Sequence, residues 1–170
     1  MKPSTYKVLV VGEEPMRNLI VTLLSTPGHH CEAAIDGNDA LDKASKNEFD
    51  AVISGMVMPG MNGITLTKEL VKRSPNLPVM ILTGDEDQYS PAAAIAAGAW
   101  EFIKKPFSVV EFTIRFHKMM RDREILCRML AEKNKAVCDL KELTEKMKGR
   151  ELERENLGER VTLLYPEFQA

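Results

Sequence analysis

Three side chains able to hold a charge or donate a proton come just after apolar runs of this 170-residue chain. Glu13 follows Val8 to Val11, Thr83 follows Leu77 to Leu82, and Lys105 follows Trp100 to Ile103. A carboxylate, a hydroxyl and an ammonium can hold small ions, but a covalent reaction also needs a nucleophile. The stretch around which the chain is organised is Phe49-Asp50-Ala51-Val52-Ile53-Ser54-Gly55-Met56-Val57-Met58-Pro59-Gly60-Met61-Asn62-Gly63. Ala51 to Ile53 reads as a strand buried on both faces, followed by a loop and then a helix with Ile64, Leu66 and Leu70 on one side. In an open parallel sheet, ligands bind beyond the carboxyl ends of the strands. The residue closing this strand therefore faces the chemistry, and it is Gly55, which has no side chain. Ser54 points elsewhere, because successive strand residues alternate faces.

Each of these residues also has a plain structural reading. Glu13 and Glu14 suit the positive end of a helix that Pro15 opens. Thr83 can cap a turn, and Lys105 can be solvated like its neighbour Lys104. Met56, Met58 and Met61 read as packing and interface residues. His29-His30-Cys31 has the composition of a metal cluster, but adjacent strand residues face opposite ways. Asp85-Glu86-Asp87 reads as a solvated loop. No nucleophile–base pair and no glycine-rich phosphate cradle is present, so the chain is not expected to be an enzyme.

The elements that must position these residues alternate five times. Strands are expected at Tyr6 to Val11, His30 to Ile35, Ala51 to Ile53, Leu77 to Leu82 and Trp100 to Ile103. Helices are expected after Pro15, after the Asp36-Gly37-Asn38 turn, after Gly63, after Ser90-Pro91 and after Phe107. This alternation argues for an α/β fold, a doubly wound five-stranded parallel sheet with helices on both faces. Right-handed crossovers make the flavodoxin-like order 2-1-3-4-5 the natural choice. The composition is that of a globular protein, and the net charge of −2 offers no basic field for nucleic acid. No apolar run approaches the roughly 18 to 20 residues needed to span a bilayer, and the N-terminus lacks a secretory core. Cys31, Cys127 and Cys138 are too few for a disulfide framework. A cytoplasmic address is expected, with no nucleic-acid and no membrane partner.

Four anchors occur in order: Val-Leu-Val-Val-Gly-Glu-Glu-Pro at the first strand, Met-Pro-Gly-Met-Asn-Gly after the third, Leu-Thr-Gly after the fourth and Lys-Lys-Pro-Phe after the fifth. Together they resemble the receiver domain of two-component response regulators, over about residues 5 to 120. The resemblance implies the same sheet order and a phosphorelay-type site. In that family an Asp ending the third strand accepts a phosphoryl group, and acidic residues after the first strand help to hold magnesium. Here the acceptor position is Gly55 and the acidic pair falls on Gly12 and Glu13. Only Glu13 keeps a carboxylate, so magnesium binding is weakened and no cofactor is expected. The resemblance places Thr83 where a hydroxyl bonds a phosphoryl oxygen, and Lys105 on the family's lysine. It also places Pro106 after the typically cis bond, and Phe102 at the switch aromatic. Glu13, Glu14, Thr83, Lys105 and Pro106 are thus the remnants of a receiver pocket.

Between Phe107 and Gly149 there is neither Gly nor Pro. Phe116, Met119, Arg123, Leu126, Leu130, Lys133, Val137, Leu140, Thr144 and Met147 recur in steps of three and four, the spacing of a heptad seam. A helix of about 40 residues would span roughly 60 Å. A coiled coil is expected, most simply a parallel dimer, with Phe116, Met119, Leu126, Leu130, Val137, Leu140 and Met147 as its apolar seam. Antiparallel and four-helix pairings stay open, as does an amphipathic helix that folds back on its own domain. The expected organisation is a receiver over residues 1–120, a coiled-coil helix over 121–148, and a tail or the start of another domain over 149–170, broken at Gly158 and Pro166. The function expected from this is a two-component pseudo-receiver, dimerising and acting through a partner signalling protein (a histidine kinase or an output protein) without phosphorylation. The alternatives are an ordinary phosphorylatable regulator in which Gly55 is an engineered change, and a small-anion sensor using the pocket between Thr83 and Lys105.

Overall fold

The computed structural model describes residues 5–84 and 90–164. The expectations for Asp85-Glu86-Asp87 and for the tail from Tyr165 onward lie outside the described residues. The element order is β1 (Lys7–Val11), α1 (Glu14–Ser25), β2 (His30–Ala34), α2 (Gly37–Lys46), β3 (Ala51–Gly55), α3 (Gly63–Arg73), β4 (Val79–Thr83), α4 (Pro91–Ala96), β5 (Glu101–Lys104) and α5 (Val109–Leu164). All strand pairs are parallel and the sheet order is β2-β1-β3-β4-β5, the expected flavodoxin-like arrangement.

Local chemistry explains the boundaries. The Asp36, Asn62 and Ser90 side chains accept hydrogen bonds from the Asp39, Thr65 and Ala93 amides, so each caps a helix start. Pro15 and Pro91 occupy first turns, where a missing N–H costs nothing. The two-residue period of the strands sorts their side chains into two cores. Leu9, Val11, Val52 and Ile81 pack with Ala40, Leu66, Leu70 and Ala94 from α2, α3 and α4. Val8, Val10, Ile53, Met80 and Leu82 pack on the other face with Ile20 and Leu24 of α1 and with Phe112, Phe116, Met119 and Met120 of α5.

The chain divides into two compact units, Met1–Glu124 and Ile125–Ala170, and α5 contributes to both. In the first unit α5 is a core helix. Phe116 and Met119 are each 1% exposed, so these two residues, expected in a dimer seam, are spent on the sheet instead. Arg123, expected to interrupt that seam, pairs with Asp50 at 2.9 Å. Glu101 holds Arg115 at 3.0 Å, and the Tyr6 hydroxyl donates to Glu124 Oε1 at 2.6 Å. Helical periodicity identifies an apolar face but does not say what covers it, and here the sheet covers Phe116 and Met119.

In the second unit Leu126 and Leu130 are half-buried, and every described side chain from Ala131 to Leu164 is exposed. The break expected at Gly158 is absent: α5 passes through Gly149 and Gly158 to Leu164. A glycine inside a helix costs only about 1 kcal/mol relative to alanine, and strong helix formers flank both positions. No helix among the described residues is long and apolar enough to cross a membrane.

His29 is the buried titratable group of the first unit's lower end. Its Nδ1 accepts from the Tyr6 amide at 3.3 Å, its Nε2 has no partner, and its ring lies 5.6 Å from that of Phe116. Burial, and then the neighbouring His117, push its pKa below the usual 6.5. Protonation would put a second N–H against the Tyr6 amide. Because the folded state prefers the neutral ring, the unfolded chain takes up the proton first. His29 therefore contributes stability that is complete above pH 6.5 and is lost as pH falls below it through the lowered folded value. The melting temperature is expected to fall between about pH 7 and about pH 5, and His29→Gln to flatten that slope. Asp39 is held low chiefly by its hydrogen bond from Lys43, and acts only below about pH 4. Melting curves of both proteins across this range are the check.

Candidate functional site

A cleft of about 160 Å³ opens at the carboxyl ends of the strands. It is lined by Gly12, Glu13, Met16, Gly55, Met56, Val57, Leu82, Gly84 and Lys105. The topology explains the meeting: β1, β3 and β4 run side by side and parallel, so Gly12, Gly55 and Gly84 all follow or end strands at one rim. Lys105 arrives just after β5, fixed by its amide donating to the Thr83 carbonyl at 2.8 Å, and the Lys105-Pro106 bond is cis.

Of the residues expected at this site, the structure brings Glu13, Gly55 and Lys105 together. Glu13 is the N-cap residue of α1, with its side chain making no cap hydrogen bond. Glu14 is exposed on the first turn of α1 and is not among the lining residues. Thr83 closes β4 with 3% exposure, and its hydroxyl lies 3.4 Å from the Gly84 carbonyl, a long contact. It too lies outside the lining set, as do Pro106 and Phe102. Phe102 is partly buried against the core shared by α2, α3 and α4. The lining side chains that sequence reasoning missed are Met16, Met56, Val57 and Leu82, which give the cleft an apolar wall. Their signal was position: Met56, Val57 and Leu82 lie within two residues of a strand end and Met16 in the first turn of α1, although a side chain's direction there depends on the turn that follows. Arg17 was missed as well; it donates to the Gly12 carbonyl at 2.8 Å.

The floor of the cleft is backbone. Gly12 has φ +143°, a conformation in which an L side chain is strained. At Gly55 the situation is the reverse. A Cβ built there would meet nothing closer than Met58 Cγ, at 3.7 Å, which is ordinary contact. Gly63, in the same sequence stretch, is packed shut: its Cβ would stand 2.5 Å from the Gly55 carbonyl oxygen and 3.2 Å from Met56 Cα. Its amide donates to the Met56 carbonyl at 2.8 Å, holding the start of α3 onto the end of β3. Gly63→Ala must push that helix off the strand. It is expected to lower stability by about 3 kcal/mol, against less than about 1 kcal/mol for Gly55→Ala. Urea unfolding midpoints of the two variants are the measurement.

The described residues do not make a magnesium site. That ion needs a near-octahedral shell of oxygens, usually with carboxylates among them. Positions 12, 13 and 55 offer one carboxylate, and no group of three His, Cys, Asp or Glu among the described residues could hold a metal.

With this geometry in view, the likenesses to known proteins can be placed. A model of the response regulator receiver domain family matches residues 8–117. The two-component response regulator PhoP of Pseudomonas aeruginosa is 30% identical over 135 residues, covering 79% of this chain and 60% of that protein. The response regulator MprA of a Mycobacterium species is 31% identical over 116 residues, covering 68% of this chain and 50% of that protein. The chain thus spans between half and three-fifths of the length of these relatives. Among solved structures, NtrX from Brucella abortus in complex with ADP superposes with a TM-score of 0.70 at 26% identity, covering 74% of this chain and 29% of that one. A response regulator receiver domain protein from Clostridium thermocellum superposes with a TM-score of 0.65 at 28% identity, covering 71% and 98%.

Proposed function

The chain belongs to the response regulator receiver domain family, and from that membership we propose that it serves two-component signalling as a receiver that acts by protein contact, paired with a second copy through α5 and without a phosphorylation cycle. One observation carries this reading: the strand end that lines the cleft beside Lys105 is Gly55. Phosphoryl transfer to a receiver requires an oxygen of the strand-end residue to attack phosphorus while the donor's leaving group departs with its electron pair. Glycine supplies no such oxygen. Ser54 is no substitute, since it is fully buried, with its hydroxyl donating to the Gly55 carbonyl at 2.9 Å. The signal would pass instead to or from a partner protein, a histidine kinase or an output protein.

Pairing is supported by the second unit alone. Val137, Leu140 and Met147 of the expected seam are 43%, 63% and 58% exposed. With Leu126, Lys133, Leu140 and Met147 at d positions, the a positions hold Leu130, Val137 and Thr144. Two of these three are β-branched, which favours two parallel strands. Lys133 inside the seam would fix register at some cost in stability. The test is intact mass after incubation with a small-molecule phosphodonor and magnesium, with light scattering on the same sample. The expected result is an unmodified chain whose solution mass is twice that of the monomer, with and without donor. A stable phosphoryl adduct overturns the reading.

A further inference from the structure

Lys105 lines the cleft without an acidic partner. Among the described residues its ammonium makes no ion pair or hydrogen bond, and neither does the Glu13 carboxylate. The space in front of Gly55 has not been refilled by a neighbouring side chain, since a Cβ there would find only van der Waals contacts of 3.7 Å or more. A concave space with an unpaired cation, an unpaired carboxylate and an apolar wall is the usual form of a small-ligand site.

The lining narrows the class of ligand. The ammonium selects an anion. Glu13 shares the cleft, so the described lining carries one positive and one negative charge; Lys105 balances one negative charge on a ligand and nothing among the described lining residues balances a second, which favours a monoanion over a dianion. Met16, Met56, Val57 and Leu82 offer nothing to a second polar end but suit a methyl or ethyl group. A cleft of about 160 Å³ takes a molecule of a few heavy atoms. We propose that it binds a small monocarboxylate, of acetate to propionate size, with the carboxylate on Lys105 Nζ and the alkyl end over Gly55. Such a ligand supplies from solution the carboxylate that residue 55 lacks. It gives a receiver without a phosphoacceptor a chemical input, and it does not depend on how the second unit pairs. A molecule this small, held by one partly solvated ion pair and a short apolar contact, binds at about millimolar concentration.

The experiment is a titration of the isotopically labelled full chain with sodium acetate, followed by amide NMR, with sodium chloride as the ionic-strength control. Saturating shifts are expected at Gly12, Gly55, Met56, Val57, Gly84 and Lys105, with half-saturation at about 1 mM. Gly55→Asp puts a tethered carboxylate into the space and is expected to abolish the shifts. Lys105→Gln is expected to abolish them as well, and the spectra of both variants show directly whether each is folded. Linear shifts matching those of chloride overturn the proposal. So do saturating shifts that survive in folded Lys105→Gln, or inorganic phosphate saturating the same amides at lower concentration than acetate.

Discussion

Val137→Glu combined with Leu140→Glu is expected to halve the mass of the chain in solution. In a parallel pair these adjacent a and d residues would each meet their own copy, so four apolar side chains would leave water at the centre of the seam. Burying a Val or Leu side chain contributes about 1.5 to 3 kcal/mol. The double substitution removes that gain and places four like charges within one turn of each other. A loss of several kcal/mol raises the dissociation constant by more than about a thousandfold. Helix content should fall too, because an isolated amphipathic helix owes most of its stability to packing. Glu142→Ala, on the far side of the same turn, is the control and should leave the mass unchanged. Light scattering and circular dichroism on the three proteins decide the matter. A wild-type chain that is monomeric at about 100 μM, where seams of this length normally associate, removes pairing from the proposed function.

Phe116→Ala is expected to cost the first unit about 3 to 5 kcal/mol while leaving the solution mass of the full chain unchanged. The ring is 1% exposed. It stacks on Phe112 with centroids 6.2 Å apart and meets the edge of Tyr6 at 6.3 Å. Truncation leaves a cavity between α5 and the sheet that close-packed neighbours cannot fill. Trp100, the only tryptophan of the chain, is partly buried against the same core and reports on this unit alone. Urea unfolding followed by its fluorescence therefore reads the loss without interference from the second unit. If the variant instead lost mass at unchanged stability, Phe116 would belong to the seam after all.

The two variants also mark where the sequence could be read and where it could not. The apolar runs of β1, β3 and β4 were the plainest signal of the sheet, because central parallel strands are buried on both faces, whereas the edge strands β2 and β5 carry polar residues and were legible mainly from the helices between them. Gly55, Glu13 and Lys105 could be placed because they follow strand ends, and strand ends share a rim. The stripe from Phe116 to Met147 has one period throughout, yet Phe116 and Met119 face the sheet while Leu140 and Met147 face solvent. Periodicity carries no mark at the point where the covering surface changes. That point coincides with two contacts between residues far apart in the chain, Asp50 with Arg123 and Tyr6 with Glu124, which no local pattern could foretell. Gly12, Gly55 and Gly63 look alike in the sequence. Only the backbone separates one with a strained φ, one whose Cβ would make ordinary contacts and one with no room for a methyl group.

That separation bears on how such a site changes over generations. A glycine codon of GGT or GGC becomes an aspartate codon by a single base substitution. At position 55 a Cβ would meet only ordinary van der Waals contacts, the nearest Met58 Cγ at 3.7 Å, so the backbone and its neighbours raise no barrier to its first atom. At position 12 the same substitution meets a backbone that resists any side chain, and the return would need a compensating shift in the loop before α1. A lineage carrying this chain could therefore gain one carboxylate at the rim in a single mutational step, whereas a carboxylate at position 12 lies behind a conformational barrier.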